Sequence, residues 1–441
     1  MSVRLRCIFS AFAALFLIFA VPYGHSQNGT TGPTAPKYTR PSPVNIQTVQ
    51  PYYPNMILNA NGKPSGGGSS AASPSVSPTA GGPSGTLPGL DTVPLFSGAF
   101  AVQNGGNVGD VYPYLMVGKD PLAGGTTNIP VQITEVSLQL LKDDGTTFAD
   151  VSYAPFDDLT TDSPNFANAR YASAPTPTQF ADAVQRAEFF NTMAETWHTD
   201  LSPVTVVNHI TLTVPKNVSV QFPDKTVHVV PAYFSGTAPD GSTYVLMLDS
   251  LFFQLYVNAV LNDIGANNFT TGTINIDMFP NTYLYSVNYS NPNTPGSCCV
   301  VGFHTDFYVP GITPQPRWIT IFASFISPGL FHGGVADVTG LSHEISESFN
   351  DPYNNNQTPS WQFPNLPSAC QGNLETGDPV EVLPTTTVPL PVRDRNTVYT
   401  FHPQTEALLQ WFEMGTKSNA VDGAFSFPDE TALTQSATPC P

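Results

Sequence analysis

The chain has 441 residues, of which only 11 % are charged, far below the roughly 25 % of an average soluble domain. Lys and Arg number 15 against 33 Asp and Glu, a formal charge of −18, so nucleic acid and anionic membrane surfaces would be repelled. With 44 Pro and 34 Gly, long helices cannot dominate, while 29 Phe, 17 Tyr and a 41 % apolar share supply a large core; collagen-like, coiled-coil and multi-spanning membrane architectures are excluded.

Residues 1–26 read as a secretory signal. Arg4 and Arg6 give a positive start, Cys7–Val21 is an uncharged apolar run, and Gly24-His25-Ser26 offers small residues for cleavage before Gln27. The run is shorter than the ~20 residues a spanning helix needs. No later segment is apolar enough to span, so a secreted, extracytoplasmic protein is expected. Four cysteines then remain: Cys298, Cys299, Cys370 and Cys440. An even number in an exported chain suggests two disulfides. Adjacent Cys298 and Cys299 are expected each to reach one of Cys370 and Cys440. A cysteine-only metal site is the competing reading.

Residues 27–92 form a Pro/Gly/Ser-rich linker, too poor in large apolar side chains to offset its ordering entropy. From Val93 to residue 441 the chain reads as one globular unit of α+β class, β-rich, without internal repeats. Strands are expected over Val93–Val102, Tyr112–Val117 and Ile129–Leu141, followed by a turn at Asp143-Asp144-Gly145. A helix is expected over Thr178–Trp197, with Arg186 and Glu188 on a solvated or locally paired face and His198 at its C-terminal dipole. Further strands are expected at Val204–Val214, Val218–Phe222 and Thr226–Phe234, then a buried helix over Asp249–Ile264, then strands at Thr273–Met278, Cys299–Val309 and Arg317–Phe325. The aromatic runs Tyr283–Tyr289 and Phe303–Tyr308 suit either a carbohydrate groove or core.

The segment that carries chemistry is Asp337–Pro352. The spacing predicts a helix that starts near Asp337 or Thr339 and stops at Asp351, because proline disfavours the α conformation of the residue before it. His343 and Glu347, four apart, share one face and can grip one divalent cation. Glu344, rotated about 100° away, could polarise water bound to that cation. Val338, Leu341, Ile345 and Phe349 supply apolar positions for burial. Asp351 lies one further turn along, at the helix end. A third ligand is expected from Glu375 or Asp378, which sit in a Gly-containing loop near Cys370, then from His332, then from His304. The plain alternative is a solvated helix face with a His/Glu pair.

The pattern follows the logic of His-Glu-x-x-His metallohydrolases, with Glu347 in place of the second His. A carboxylate there is a legitimate zinc ligand, but it weakens the Lewis acid and admits harder cations such as Ca²⁺ or Mn²⁺. The segment Gly340–Glu347 with Asn350-Asp351-Pro352, and Glu375-Thr-Gly-Asp378 downstream, resembles the plant phosphate-induced (EXORDIUM-like) extracellular proteins and related bacterial exported proteins. These are similar in this segment to zincin metallopeptidases. The resemblance covers about residues 317–380. It implies a zincin-like mixed sheet with the active-site helix beneath an edge strand, Glu344 as catalytic base, His343 and Glu347 as ligands, Zn²⁺ as cofactor and a protein or peptide substrate. A non-catalytic extracellular binding protein on a degenerate scaffold is the alternative, and a β-rich carbohydrate-binding protein a third.

Overall fold

The computed structural model describes residues 47–48, 87, 89–105, 108–309, 311–331, 334–364, 366–381 and 385–440. The signal segment, most of the linker and His332 lie outside the described residues.

Helices and strands mix, and the sheets combine parallel with antiparallel pairing. The largest sheet runs Gln47–Thr48, Gly302–Tyr308, Gln315–Phe325, Ile274–Pro280, Thr126–Leu141, Thr147–Val151, and His198–Val214 pairs parallel with Thr126–Leu141. Ile274–Pro280 is parallel to both of its neighbours, whereas Gly302–Tyr308 is antiparallel to Gln315–Phe325. Leu90–Asp91 adds a parallel pair at Gln315–Pro316, and Leu90 is buried.

Alternation along these strands divides two cores. Ile274, Ile276 and Met278 join Ile319, Ile321 and Ala323 in the core that includes Val338, Leu341, Ile345 and Phe349 of the Thr339–Asn350 helix. On the opposite face, Phe279 and Phe322 meet Phe252, Tyr256 and Val260 of the Asp249–Gly265 helix, with Phe303 packed against them. The aromatic strand residues Tyr283, Tyr285 and Phe307 are core; Tyr289 alone of that group is strongly exposed.

The helix expected over Thr178–Trp197 is shorter, Phe180–Glu188. Arg186 ends it by capturing the carbonyls of Glu195 and Trp197, which folds the chain back. Arg186 and Glu188 are accordingly buried, at 1 % and 2 % exposure, rather than solvated. His198 does not cap that helix. It opens the next strand, and its Nδ1 lies 2.8 Å from Asp182 Oδ2. The expected Cys299–Val309 strand is two strands, Pro295–Val300 and Gly302–Tyr308.

The disulfides correct the expected pairing. Cys298 bonds Cys299, and Cys370 bonds Cys440. Cys298 and Cys299 sit in a separate four-stranded sheet, while the C-terminal tail bridges Pro439 to Trp361 and so delivers Cys440 to the Leu366–Asn373 strand. No helix among the described residues is long and apolar enough to cross a membrane.

Candidate metal centre

The Thr339–Asn350 helix is buried along its whole length, not on one side only. Its apolar stripe faces the large sheet. Glu344 and Glu347 meet the Gly302–Tyr308 strand at His304, while Ser342, His343 and Glu347 also touch a second wall built from the Glu375–Asp378 loop and residues 402–406. Helix entry is tied to that wall by three contacts: Asp337 Oδ1 accepts from His402 N at 2.8 Å, Thr339 Oγ1 donates to His402 O at 2.6 Å, and Gln404 N donates to Ser342 Oγ at 2.8 Å. At the exit, Asp351 Oδ1 accepts from Asn355 N and Asn356 N. One oxygen of Asp351 is therefore spent on the turn after the helix, while its Oδ2 is buried without a hydrogen-bond partner.

His343 and Glu347 project together as their spacing requires, with Nε2 3.1 Å from Oε1. Donors bonded at about 2.0–2.1 Å to one tetrahedral cation lie about 3.3 Å apart, so this separation fits. Asp378 Oδ1 is 3.6 Å from His343 Nε2, and Glu344 Oε1 is 3.9 Å away. Glu375 stands elsewhere in the cluster, its Oε2 3.8 Å from Nε2 of His304. The residue ranked last as a ligand, His304, thus lies inside the site. Register explains this. His304 is paired with Ile321, so both point to the face that carries the helix. Its Nδ1 is 3.3 Å from Glu344 Oε2 and 3.5 Å from Glu347 Oε2. Among the described residues, His343, Glu344 and Glu347 form one trio with donors within 4.8 Å of one another, and His304, Glu347 and Glu375 form another.

Both imidazoles are held from behind. Gln404 Nε2 donates to Gly377 O at 2.6 Å, which turns Gln404 Oε1 to His343 Nδ1 at 3.2 Å. An amide oxygen only accepts, so Nδ1 carries a hydrogen and Nε2 is the nitrogen turned to the acids. This is the arrangement by which metal-ligating histidines are oriented. Two glycines make the fit. A Cβ on Gly377 would lie 2.5 Å from His343 Nδ1, and one on Gly302 would lie 2.7 Å from Glu344 Oε1. The Gly377 N–H also donates to Glu347 Oε1 at 3.1 Å.

Sequence reasoning missed Gln404 and Glu406. Glu406 is fully buried, and neither of its carboxylate oxygens has a hydrogen-bond partner. The same holds for Oε2 of Glu375 and Oδ1 of Asp378. Burial, reinforced by Glu347, pushes the carboxyls of Glu375 and Asp378 well above the usual range; burial does the same to Glu406. Burial opposes charge on His343 too, but the Glu347 and Glu344 carboxylates overcome it and raise that imidazole. Burial acts against ionised Glu347 as well, yet the neighbouring His343 and His304 hold it below the ordinary value. Six carboxyls (Glu344, Glu347, Asp351, Glu375, Asp378 and Glu406) and two imidazoles in so dry a volume are costly unless protons or cations neutralise them. The donor set, oxygen-rich with two nitrogens, suits Zn²⁺ or Mn²⁺ and admits Ca²⁺.

Comparison with protein-family models, curated proteins and solved structures yields no match.

Proposed function

We propose that this protein is an extracytoplasmic, metal-dependent hydrolase whose centre is built on the Thr339–Asn350 helix, and that its substrate is a protein or peptide. The observation that carries the metal reading is the pairing of His343 Nε2 with Glu347 Oε1 at 3.1 Å, with the rear nitrogen of His343 committed to Gln404. His343 and Glu347 would hold the cation, with Asp378 the nearest further carboxylate. A divalent cation there supplies Lewis acidity and lowers the pKa of coordinated water, chemistry that hydrolases use. Glu344 stands beside both imidazoles and is the group positioned to accept a proton. The choice of peptide bonds rests on the zincin resemblance of the helix segment. The Cys370–Cys440 disulfide and the signal-like first 26 residues support export.

The test is hydrolysis of an unfolded protein such as casein. Glu344→Gln should lower kcat by about 10²–10⁴-fold, the usual contribution of a general base, while bound metal is kept. A Glu344→Gln protein as active as the wild type would sink the assignment.

A second reading is favoured by burial. His343, Glu344 and Glu347 are only 7 %, 3 % and 4 % exposed, which suits a closed cation site in a non-catalytic binding protein. Chelation separates the two. Lost hydrolysis at an unchanged fold supports the enzyme, and a lowered Tm with no activity to lose supports the structural role.

A further inference from the structure

The reading above employs His343, Glu347, Asp378 and Glu344, and it leaves His304 and Glu375 without a task. We infer that these two, with the far oxygen of Glu347, hold a second divalent cation, so that Glu347 bridges two cations. This rests on the metal reading of the same site.

The first ground is the position of His304. Its Nε2 lies 3.0 Å from the backbone carbonyl of Asp351 and 3.8 Å from Glu375 Oε2, while its Nδ1 faces Glu344 Oε2 at 3.3 Å and Glu347 Oε2 at 3.5 Å. A buried imidazole ringed by three carboxylates is a donor set that a divalent cation can use.

The second ground is Glu375. It is 7 % exposed, and its Oε2 has no hydrogen-bond partner. One nitrogen of His304 and one oxygen each of Glu347 and Glu375 lie within 4.8 Å of one another, a spacing that one ion can span. The third ground is Glu347 itself. Its Oε1 faces His343 and its Oε2 faces His304. One carboxylate presenting an oxygen to each of two ions is a common bridge in two-metal sites, whose ions sit about 3.5–4 Å apart.

The experiment is a Zn²⁺ titration of the chelator-stripped, full-length protein, with bound metal counted by elemental analysis after desalting. Two equivalents are expected for the wild type and one for His304→Ala. Glu375→Gln, nearly isosteric, is the second variant should His304→Ala fold poorly, and one equivalent is expected there too. Mn²⁺ gives a further readout: the spin-resonance signal of a coupled ion pair in the wild type, and of an isolated ion in Glu375→Gln. A wild type that binds one equivalent, unchanged by His304→Ala, overturns the second ion and leaves the first intact. A wild type that binds none overturns both. Two equivalents retained in both variants would move the second ion away from His304 and overturn the assignment.

Discussion

Gln404 fixes His343 from behind, its Oε1 3.2 Å from the imidazole Nδ1 while its own Nε2 is anchored on Gly377 O. Neither contact reaches a cation directly, yet both set which nitrogen of His343 faces Glu347. Replacing Gln404 with Leu, of similar volume, should weaken Zn²⁺ affinity by about 10–100-fold, as loss of such outer partners typically does. Competition against a chelator of known affinity measures this. Unchanged affinity would mean that Gln404 orients nothing.

Gly377 is required by contact rather than by backbone freedom. A Cβ there would come within 2.5–2.7 Å of three atoms of a ring that is itself buried. Gly377→Ala should therefore destabilise the fold by about 1–3 kcal/mol, the usual cost of overpacking, and displace His343. Gly272 is the control, since a Cβ there meets nothing within 4 Å. Chemical denaturation of both variants checks the difference; equal stabilities would contradict the packing account.

Much of this site was legible from residue types and spacing. The helix and its stop follow from the apolar positions Val338, Leu341, Ile345 and Phe349 and from Pro352. Glu375 and Asp378 announce themselves as acids around a glycine in a chain with few charges. His304 was visible as a residue but not as a neighbour, because only the strand register with Ile321 turns it toward the helix. Gln404 and Glu406 lie some sixty residues downstream in a segment without a motif. The one available signal was a buried-looking Gln-x-Glu alternation next to His402. The fold was legible where alternation was clean, as in Thr126–Leu141, and less so where one side chain redirected the backbone, as Arg186 does after Glu188. The cysteine pairing was not legible, because it depends on the path of the tail across Trp361.

The tail itself supplies a stability prediction. Cys440 closes a long loop back to Cys370, seventy residues earlier, and the Cys440 N–H donates to Ser360 O at 2.9 Å. Cys370→Ser with Cys440→Ser should cost about 2–5 kcal/mol. Denaturation under oxidising conditions measures it. A double variant as stable as the wild type would show that the bond restrains nothing.

Glu188 gives a pH dependence away from the metal centre. Burial raises its carboxyl from 4.5 to about 8, although Leu409 N–H and Asn350 Nδ2 both donate to Oε1. The folded protein therefore holds a proton that the unfolded chain releases between about pH 4.5 and pH 8. In that window the unfolded state binds fewer protons, so the Glu188 contribution to stability falls as pH rises, by up to about 1.4 kcal/mol per unit. It is fully present below 4.5 and spent above 8. Glu188→Gln should remove this component, so that the stability of the variant relative to wild type improves from pH 5 to pH 8. Parallel pH profiles for the two proteins would refute it.

Elemental analysis of the protein purified without added metal or chelator puts the central claim to its shortest test. The account predicts a stoichiometric divalent cation in the wild type, absent or strongly depleted in His343→Ala, with a higher Tm for the loaded protein. A folded wild type that carries no divalent metal, takes up none when supplied, and melts at the same temperature as His343→Ala would contradict it.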